Sequence, residues 1–227
     1  MQHTLLKTLI ASSFLTFLGF SISYAKDLDC TKTQSKTEKL ICSQADTTGL
    51  YQKLNELYPE QIKGSDQAKA ISAMHQQWYK QKLQTCQNVV CLNDQIQSQI
   101  TDLQGLEKKS PLISQWSGHY QRSSSVYKNS SPAQINLLVL QDKKIAINGQ
   151  AQWQADAKSA VNIGQIKGVS TVQNPNAFLV TINANCIVQV KWLKANQIEL
   201  IEEKLSNGQV SVCGGQNVKF NGIYKRT

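Results

Sequence analysis

The spacing of apolar residues changes once along the chain, from a helical period to an alternation. Three stretches in the first half place apolar residues every three or four positions, which is typical of amphipathic helices. They cover residues 50–58, 68–83 and 92–106. Pro59 and Gly64 bracket the end of the first stretch, and the third has the clearest apolar stripe. The pattern predicts a small three-helix domain, which is only marginally stable by burial alone.

Beyond residue 114 apolar residues alternate with polar ones, as they do in half-buried strands. Five such stretches cover residues 135–140, 144–148, 177–182, 187–192 and 197–201. Turn-forming residues separate them, for example Asn148 followed by Gly149. The spacing predicts about eight strands joined as antiparallel hairpins, with no helix among them.

Two short segments frame this second region. Residues 118–122 and 222–226 share the pattern Gly-x-Tyr-x-Arg. Pairing of the first strand with the last would close the sheet and remove its exposed edges. We therefore predict an α+β fold, in which a disulfide-stapled three-helix domain precedes a small antiparallel β-barrel or curled sheet of about eight strands.

The first 25 residues have the three parts of a secretory signal. Lys7 gives a positive start, residues 9–22 are mostly apolar, and small residues precede a cleavage point after Ala25. The apolar run is short for an uncleaved membrane anchor, which needs about 20 residues, and no later stretch is apolar enough to span a bilayer. We expect a periplasmic or secreted protein with a helical domain at 26–108 and a β domain at 109–227.

All six cysteines follow the predicted signal. They are Cys30, Cys42, Cys86, Cys91, Cys186 and Cys213. An even number in an exported chain predicts disulfides. A zinc site is the alternative, but Cys30 and Cys42 are too far apart to form a second knuckle beside Cys86 and Cys91. The first four allow three pairings, and a helical hairpin favours Cys42 with Cys86 and Cys30 with Cys91. The last two should pair with each other.

Part of the chain resembles a known family. The residues that carry the resemblance are Asp29, Cys30, the run Glu38-Lys39-Leu40-Ile41-Cys42, Leu54, Tyr58, Trp78, Cys86, Cys91, Leu92, Ile100 and Leu103. Residues 28–106 look like the lysozyme inhibitor LprI-like N-terminal domain, whose Trp, basic residue and Cys at intervals of four match Trp78, Lys82 and Cys86. The resemblance implies an exported helical domain with four cysteines and, for some members, inhibition of lysozyme.

Three positions depart from the pattern of that family. Lys82 stands where Arg is usual, and a Lys cannot make the planar bidentate contact of a guanidinium. Tyr51 stands where Asp is common, and Gln99 where Arg is frequent. If those charged positions form a working surface in relatives, that surface is altered in this chain.

Few residues are candidates for catalysis. After the predicted signal the only histidines are His75 and His119, and neither has a neighbour that suggests a metal site or a nucleophile–base pair. We expect His75 to be solvated on a polar helix face. The acidic cluster of Glu199, Glu202 and Glu203 should be a solvated strand end. Since hydrolase elbows, phosphate loops and zinc-protease motifs are absent, we predict a protein that is not an enzyme and has no cofactor or metal.

The β domain is far more basic than the helical domain. Residues 111–227 contain 12 Lys and Arg against 5 acidic residues, whereas residues 26–110 contain 11 Lys against 10. Such a charge attracts anions, so lipid phosphates, acidic glycans or an acidic protein are candidate partners, and nucleic acid is not expected for an exported chain. The plainer interpretation is that scattered lysines keep the protein in solution. Because most c-type lysozymes are cationic, an inhibitor should contact them through its helical domain.

The leading hypothesis is an exported binding protein that occludes a wall-degrading enzyme such as lysozyme. The predicted contact residues are Trp78, Tyr79 and Lys82. For Trp78 the plainer interpretation is a core aromatic of the helical hairpin.

Two other hypotheses remain open. In one, the β domain binds a membrane surface, or a small apolar or anionic ligand in a lumen lined by Trp153, Phe178 and Trp192. In the other, the protein is an immunity factor for a secreted wall-degrading effector.

Overall fold

The computed structural model describes residues 28–33, 35–124, 132–156, 158–209 and 211–227. The predicted signal at 1–25 lies outside these ranges. The described helices are α1 (Lys36–Cys42), α2 (Ala45–Ile62), α3 (Ala68–Trp78), α4 (Val89–Gln104) and α5 (Pro111–Trp116). A π-helical turn, Tyr79–Leu83, continues α3. Within the described ranges, none of these helices has both the length and the apolar character that a membrane crossing needs.

Local signals set the helix ends. A capping box starts α1, because Ser35 accepts from the Glu38 N–H at 3.1 Å and the Glu38 carboxylate accepts from the Ser35 N–H at 3.0 Å. Asn88 caps α4, and Pro111 begins α5 where its missing N–H has no cost. The three predicted helices correspond to α2, to α3 with its π turn, and to α4. The helices α1 and α5 were not predicted.

Eight described strands follow the helices. They are β1 (Gly118–Ser124), β2 (Ala133–Leu140), β3 (Lys144–Trp153), β4 (Asn162–Thr171), β5 (Ala177–Asn183), β6 (Cys186–Lys194), β7 (Gln197–Glu202) and β8 (Gly222–Arg226). They form one antiparallel sheet in the order β4-β3-β2-β1-β8-β7-β6-β5. The predicted pairing of the first strand with the last is confirmed, with Tyr120 opposite Arg226 and Arg122 opposite Tyr224. The α+β class and the barrel-like sheet are also as predicted.

The sheet is nearly closed. The edge strands β4 and β5 lie side by side without a ladder of backbone hydrogen bonds. A Cβ at Gly168 would lie 2.7 Å from Val180 Cγ1, so glycine is what permits this approach. At Gly164 an added Cβ would lie 2.4 Å from the Gly214 backbone. The loop between β7 and β8 therefore packs directly on β4 beside the seam.

The three disulfides are Cys30–Cys42, Cys86–Cys91 and Cys186–Cys213. The last agrees with the prediction, but the predicted pairing of Cys42 with Cys86 and of Cys30 with Cys91 is wrong. That pairing placed Cys42 at the start of the first long helix, whereas it ends the separate helix α1. Cys86 and Cys91 meet across the turn between the π turn and α4. Both helical disulfides therefore join segments that are neighbours in sequence.

The barrel interior is filled by side chains of the chain itself. Trp116, carried by α5, is fully buried and makes edge contacts with Phe178 at 4.9 Å and Trp192 at 5.6 Å between ring centroids. Trp153 packs against the same core. The three residues expected to line a lumen are thus part of the packing, which argues against the hypothesis of a ligand inside the barrel.

The two Gly-x-Tyr-x-Arg strands make equivalent contacts. Each Tyr hydroxyl donates to the carbonyl four residues earlier, Tyr120 to Trp116 at 2.9 Å and Tyr224 to Phe220 at 2.8 Å. Arg226 donates to the Tyr120 hydroxyl at 2.7 Å, and Arg122 lies 6.0 Å from the Tyr224 ring centroid. Burial raises the pKa of both phenols, which keeps them neutral donors. The repeated pattern therefore has a structural role.

The helices pack on the outer face of the barrel, where Leu138 of β2 joins the helical core. Gln67, which is 2% exposed, pairs with β2 as a strand would. Its amide nitrogen donates to the Val139 carbonyl at 2.8 Å, and its oxygen accepts from the Val139 N–H at 2.9 Å. The same oxygen accepts from the Ser117 hydroxyl at 2.9 Å. This junction holds the start of α3 against β2.

Candidate binding cleft between the helices and the barrel

A cleft of about 320 Å³ opens between the helices and the barrel. Its walls come from α3 with the π turn, from α4, and from strands β3 and β4. They are lined by Met74, Gln77, Trp78, Gln81, Lys82, Gln95, Gln99, Asp102, Asn148, Gln165, Ile166 and Lys167. Six of these side chains are carboxamides, and a carboxamide offers both hydrogen-bond donors and an acceptor. The cleft is therefore rich in carboxamides, and its charged residues are Lys82, Asp102 and Lys167.

Periodicity explains why so many carboxamides converge. Gln77 and Gln81 are four residues apart on one helical run, and Gln95 and Gln99 are four apart on α4, so each pair shares a face. Gln165 is on the outer face of β4, which points towards the helices. Two glutamine pairs at helical spacing were thus visible in the sequence before the fold was known.

Some of the carboxamides tie the two parts of the molecule together. Gln81 accepts from Gln77 at 3.2 Å and from Gln165 at 3.4 Å, and it donates to Gln150. Gln77 accepts from the buried Asn136 of β2 at 2.6 Å. This network satisfies the polar groups at one end of the cleft.

Two lysines cross the cleft. Lys82 from the π turn donates to Gln165 at 2.8 Å, and Lys167 from β4 pairs with Asp102 of α4 at 2.5 Å. Half-exposed ion pairs of this kind contribute little stability. Lys82 is exposed and has no carboxylate of the described residues within salt-bridge distance. Its charge is therefore available to a partner.

Three polar side chains of the cleft have no hydrogen-bond partner among the described residues. Trp78 is 6% exposed, and its indole N–H has no acceptor among the described residues. The side chains of Gln95 and Asn148 make no hydrogen bond to a described residue. Met74 adds a buried apolar side chain to the lining, whereas the side chain of Ile166 belongs to the barrel core. A buried donor without an acceptor costs about 1–3 kcal/mol, and the indole N–H of Trp116 inside the barrel has the same status. Gln95 and Asn148 are half-exposed, so solvent can reach their carboxamides.

His75 adjoins the cleft through Gln99, which lies 3.4 Å from its Nδ1. Its ring stacks on Tyr58 at 4.0 Å and lies 5.2 Å from Trp78, between centroids. The prediction of a solvated histidine is wrong, because α3 turns this side chain onto the aromatic residues of the helical core. Burial lowers the pKa of His75 to about 4, so the ring is neutral at pH 7.

The structure brings two of the three predicted contact residues to the cleft. Trp78 lies in its wall as part of the helical core, as the plainer interpretation expected, and Lys82 stands at its rim. Tyr79 does not line the cleft and packs against the helical core. It lies near Tyr51, whose pKa is raised to about 12 by burial and, to a smaller extent, by the Tyr79 phenol.

The other candidates for catalysis have structural contacts. The described residues contain no group of three His, Cys, Asp or Glu side chains that could hold a metal ion. His119 is paired with Asn136 at 2.7 Å. Glu202 was expected to be solvated, but it is 5% exposed, accepts from the Phe220 N–H at 2.7 Å and pairs with Lys219 at 3.3 Å. It anchors the segment before β8 and has a structural role.

Two other surface depressions have fewer charged side chains that could bind a ligand. One of about 280 Å³ lies beside β1, β2 and β3 and contains a single charged residue, Arg122, which already donates to the Lys219 carbonyl at 2.7 Å. The other, of about 420 Å³, lies at the turn between β4 and β5 and is lined by uncharged residues. The cleft beside Trp78 is therefore the best candidate site.

Comparisons of the chain with protein-family models, with curated proteins and with solved structures found no match. The resemblance of residues 28–106 to the LprI-like domain thus stays a prediction. The sequence analysis did not single out Gln67, Gln95, Asn148 or Gln165 as site residues. Carboxamides carry no catalytic signature, and these four lie on separate parts of the chain that come near one another only through the fold.

Proposed function

We propose that this chain is an exported binding protein that occludes a wall-degrading enzyme such as lysozyme. The signal would be cleaved after Ala25, and the mature protein would act in the periplasm or outside the cell. Three disulfides with no free cysteine in the described ranges support an oxidising compartment. The observation that carries the proposed mode of binding is the uncompensated Lys82 at the rim of the cleft.

The chemistry of muramidases makes such a lysine useful. Most glycoside hydrolases cleave with a pair of carboxyl groups in an open groove. A cation presented at the end of a rigid helical segment could pair with those carboxylates and block the groove. Lys82 is held by the π turn, and its present partner, Gln165, is neutral. The near-neutral helical domain also avoids the repulsion that the basic barrel would meet at a cationic enzyme.

A lytic assay on cell-wall substrate tests the proposal. Purified mature protein should slow lysis in proportion to its concentration, and Lys82→Ala should weaken inhibition about tenfold, as loss of one charge-assisted contact would. Lys80→Ala is the matched control, because Lys80 is exposed on the same turn but does not line the cleft. An unchanged lytic rate at large molar excess of the wild-type protein would rule the proposal out.

A second candidate is binding of an anionic envelope component by the barrel. Several exposed lysines on this half have no carboxylate of the described residues within salt-bridge distance. They are Lys143, Lys158, Lys194, Lys204 and Lys225. Vesicles containing anionic lipid should retain the protein at low salt and release it as salt rises. Equal retention by zwitterionic vesicles would contradict this candidate.

A further inference from the structure

We propose that one end of the barrel, the end that carries α5, docks on a membrane surface containing anionic lipid. This rests on the second candidate function and deepens it, because it names the face and the class of partner. Two observations carry it. They are the position of the exposed apolar side chains and the difference in charge between the two ends of the barrel.

The exposed apolar side chains lie around the seam of the barrel. Among the large apolar residues of the described ranges that are exposed, all but Val90 lie on or next to β4, β5 and β6. Val169, Leu179 and Leu193 lie towards the α5 end and are 51%, 52% and 44% exposed. The others, towards the opposite end, are Val161, Ile163 and Val212.

Val169 and Leu179 are neighbours across the seam. Ser170 donates its hydroxyl to the Leu179 carbonyl, which joins β4 to β5 beside these two side chains. Both point away from the barrel core, because the adjacent residues Gly168 and Val180 approach each other on its inner side. The two aliphatic side chains therefore lie together on the outer surface.

The turn between β4 and β5 brings Leu193 and two lysines to the same end. The residue before Leu193 donates its N–H to the Asn176 carbonyl of this turn at 2.8 Å, and the exposed Lys194 follows. On the other side, the carbonyl of the exposed Lys143 accepts from the Val172 N–H at 2.9 Å. We define the seam face as Lys143, Val169, Leu179, Leu193 and Lys194.

The two ends of the barrel differ in charge. At the α5 end the described strands and turns carry the lysines 143, 144, 191, 194 and 225 against Asp142 and Glu199. At the opposite end three lysines, 158, 204 and 219, face three acidic residues, 156, 202 and 203. Asp142 pairs with Lys144 at 3.7 Å, and Glu199 lies opposite Lys191 in the pairing of β6 with β7. The charges of the seam face are therefore the ones left to attract an anionic surface.

Lipid fits the seam face better than a protein does. Uncompensated positive charge opposes pairing with a second copy of the chain. Protein interfaces are enriched in Tyr, Trp and Arg and depleted in Lys, whereas this face consists of lysines and aliphatic side chains. At an anionic membrane each nearby lysine strengthens binding about fivefold, and aliphatic side chains enter the boundary between headgroups and acyl chains. The edge strands β4 and β5 share no hydrogen-bond ladder, so the face should stay at headgroup level, where their backbone groups find partners.

Co-sedimentation of the full mature protein with vesicles tests the docking face. Phosphatidylcholine vesicles that contain phosphatidylglycerol should retain the protein, and vesicles of phosphatidylcholine alone should not. Leu179→Ser and Lys194→Ala should each weaken retention about fivefold. Val212→Ser and Lys204→Ala are the matched controls at the opposite end, since Val212 is also 52% exposed and Lys204 is exposed. All four variants should unfold in urea at the wild-type midpoint, because these side chains lie at the surface.

The outcomes distinguish the face from the function on which it rests. If the controls weakened retention as much as Leu179→Ser and Lys194→Ala, the seam face would be wrong, while binding of anionic lipid by the barrel would stand. If anionic vesicles did not retain the wild type, the seam face and the second candidate function would both fall, and the lytic assay would be unaffected. Retention on immobilised polyglutamate without retention on vesicles would identify an acidic protein as the partner and overturn the assignment to lipid.

Discussion

The barrel and the helical domain bury their apolar side chains in different ways. The barrel is nearly closed, and its largest fully buried side chains are Trp116, Tyr120, Phe220 and Tyr224. The helical domain does not close on itself. Its core extends to Leu138 on the outer face of β2, and Gln67 completes the backbone pairing of that strand. We therefore expect the barrel to serve as a scaffold on which the helices depend.

The difference explains where the cleft lies. A filled barrel leaves no room for a ligand inside, whereas an interface between two separately shaped surfaces leaves gaps that polar side chains must line. Carboxamides do this without introducing unpaired charge into a partly buried space. The candidate binding cleft thus lies at the junction of the helices and the barrel.

Removal of Trp116 should damage the molecule most. Trp116→Ala creates a large cavity in the barrel, and such changes cost about 3–5 kcal/mol. Urea unfolding followed by circular dichroism should show this decrease in the free energy of unfolding. The helical signal should be lost in the same transition, because we expect the helices to depend on the barrel. Trp153→Ala, a partly buried site on the same core, should cost clearly less. Helices that stayed folded in Trp116→Ala would contradict the scaffold role of the barrel.

The contribution of each disulfide to the free energy of unfolding should increase with the length of chain that it closes. The sequence separations are 27 residues for Cys186–Cys213 and 5 for Cys86–Cys91. The loop-entropy relation gives about 3.5 kcal/mol for the first and about 2 kcal/mol for the second. Paired Cys→Ala variants, unfolded in urea, test the ranking. An equal or larger loss of stability on removal of Cys86–Cys91 would mean that this disulfide stabilises the helices by more than loop closure.

Much of the fold was readable from the sequence, because it depends on periodicity. Alternation over residues 135–201 predicted the strands, and the repeated Gly-x-Tyr-x-Arg pattern predicted that β1 and β8 pair. The helical disulfides could not be derived in this way. Their pairing depends on α1, a seven-residue helix too short to show a period, which separates Cys42 from α2.

The candidate site was predictable only in part. Trp78 and Lys82 were singled out, and both line the cleft. Asn148 was interpreted as a turn residue, yet β3 continues through it to Trp153. Gln95, which lines the same cleft, lies 53 positions earlier on another element. Contacts of this kind depend on how two surfaces dock, which no local pattern encodes.

Acid should weaken the helical domain before the barrel. The pKa of His75 is about 4 in the folded protein and near 6.5 in the unfolded chain, so between these values the unfolded state binds more protons. The free energy of unfolding is therefore highest above pH 6.5, and it falls by at most about 3 kcal/mol as the pH drops towards 4. His75→Phe keeps a ring beside Tyr58 and should flatten this loss in urea titrations at several pH values. An identical pH profile for the variant would exclude His75 as the cause.

Substitution of Gln67 has the smallest expected effect, and it tests most directly whether the helices depend on the barrel. Gln67→Ala removes the amide that pairs with Val139 and leaves a buried N–H without an acceptor, which should cost about 2 kcal/mol. The loss should fall on the helices, so hydrogen exchange should quicken in α3 and α4 and stay slow in β1 and β8. Gln52→Ala on the exposed face of α2 is the control. If exchange quickened equally in the helices and in the barrel, Gln67 would stabilise the molecule as a whole. The helices would then be held to the barrel by Leu138 and the apolar contacts around it.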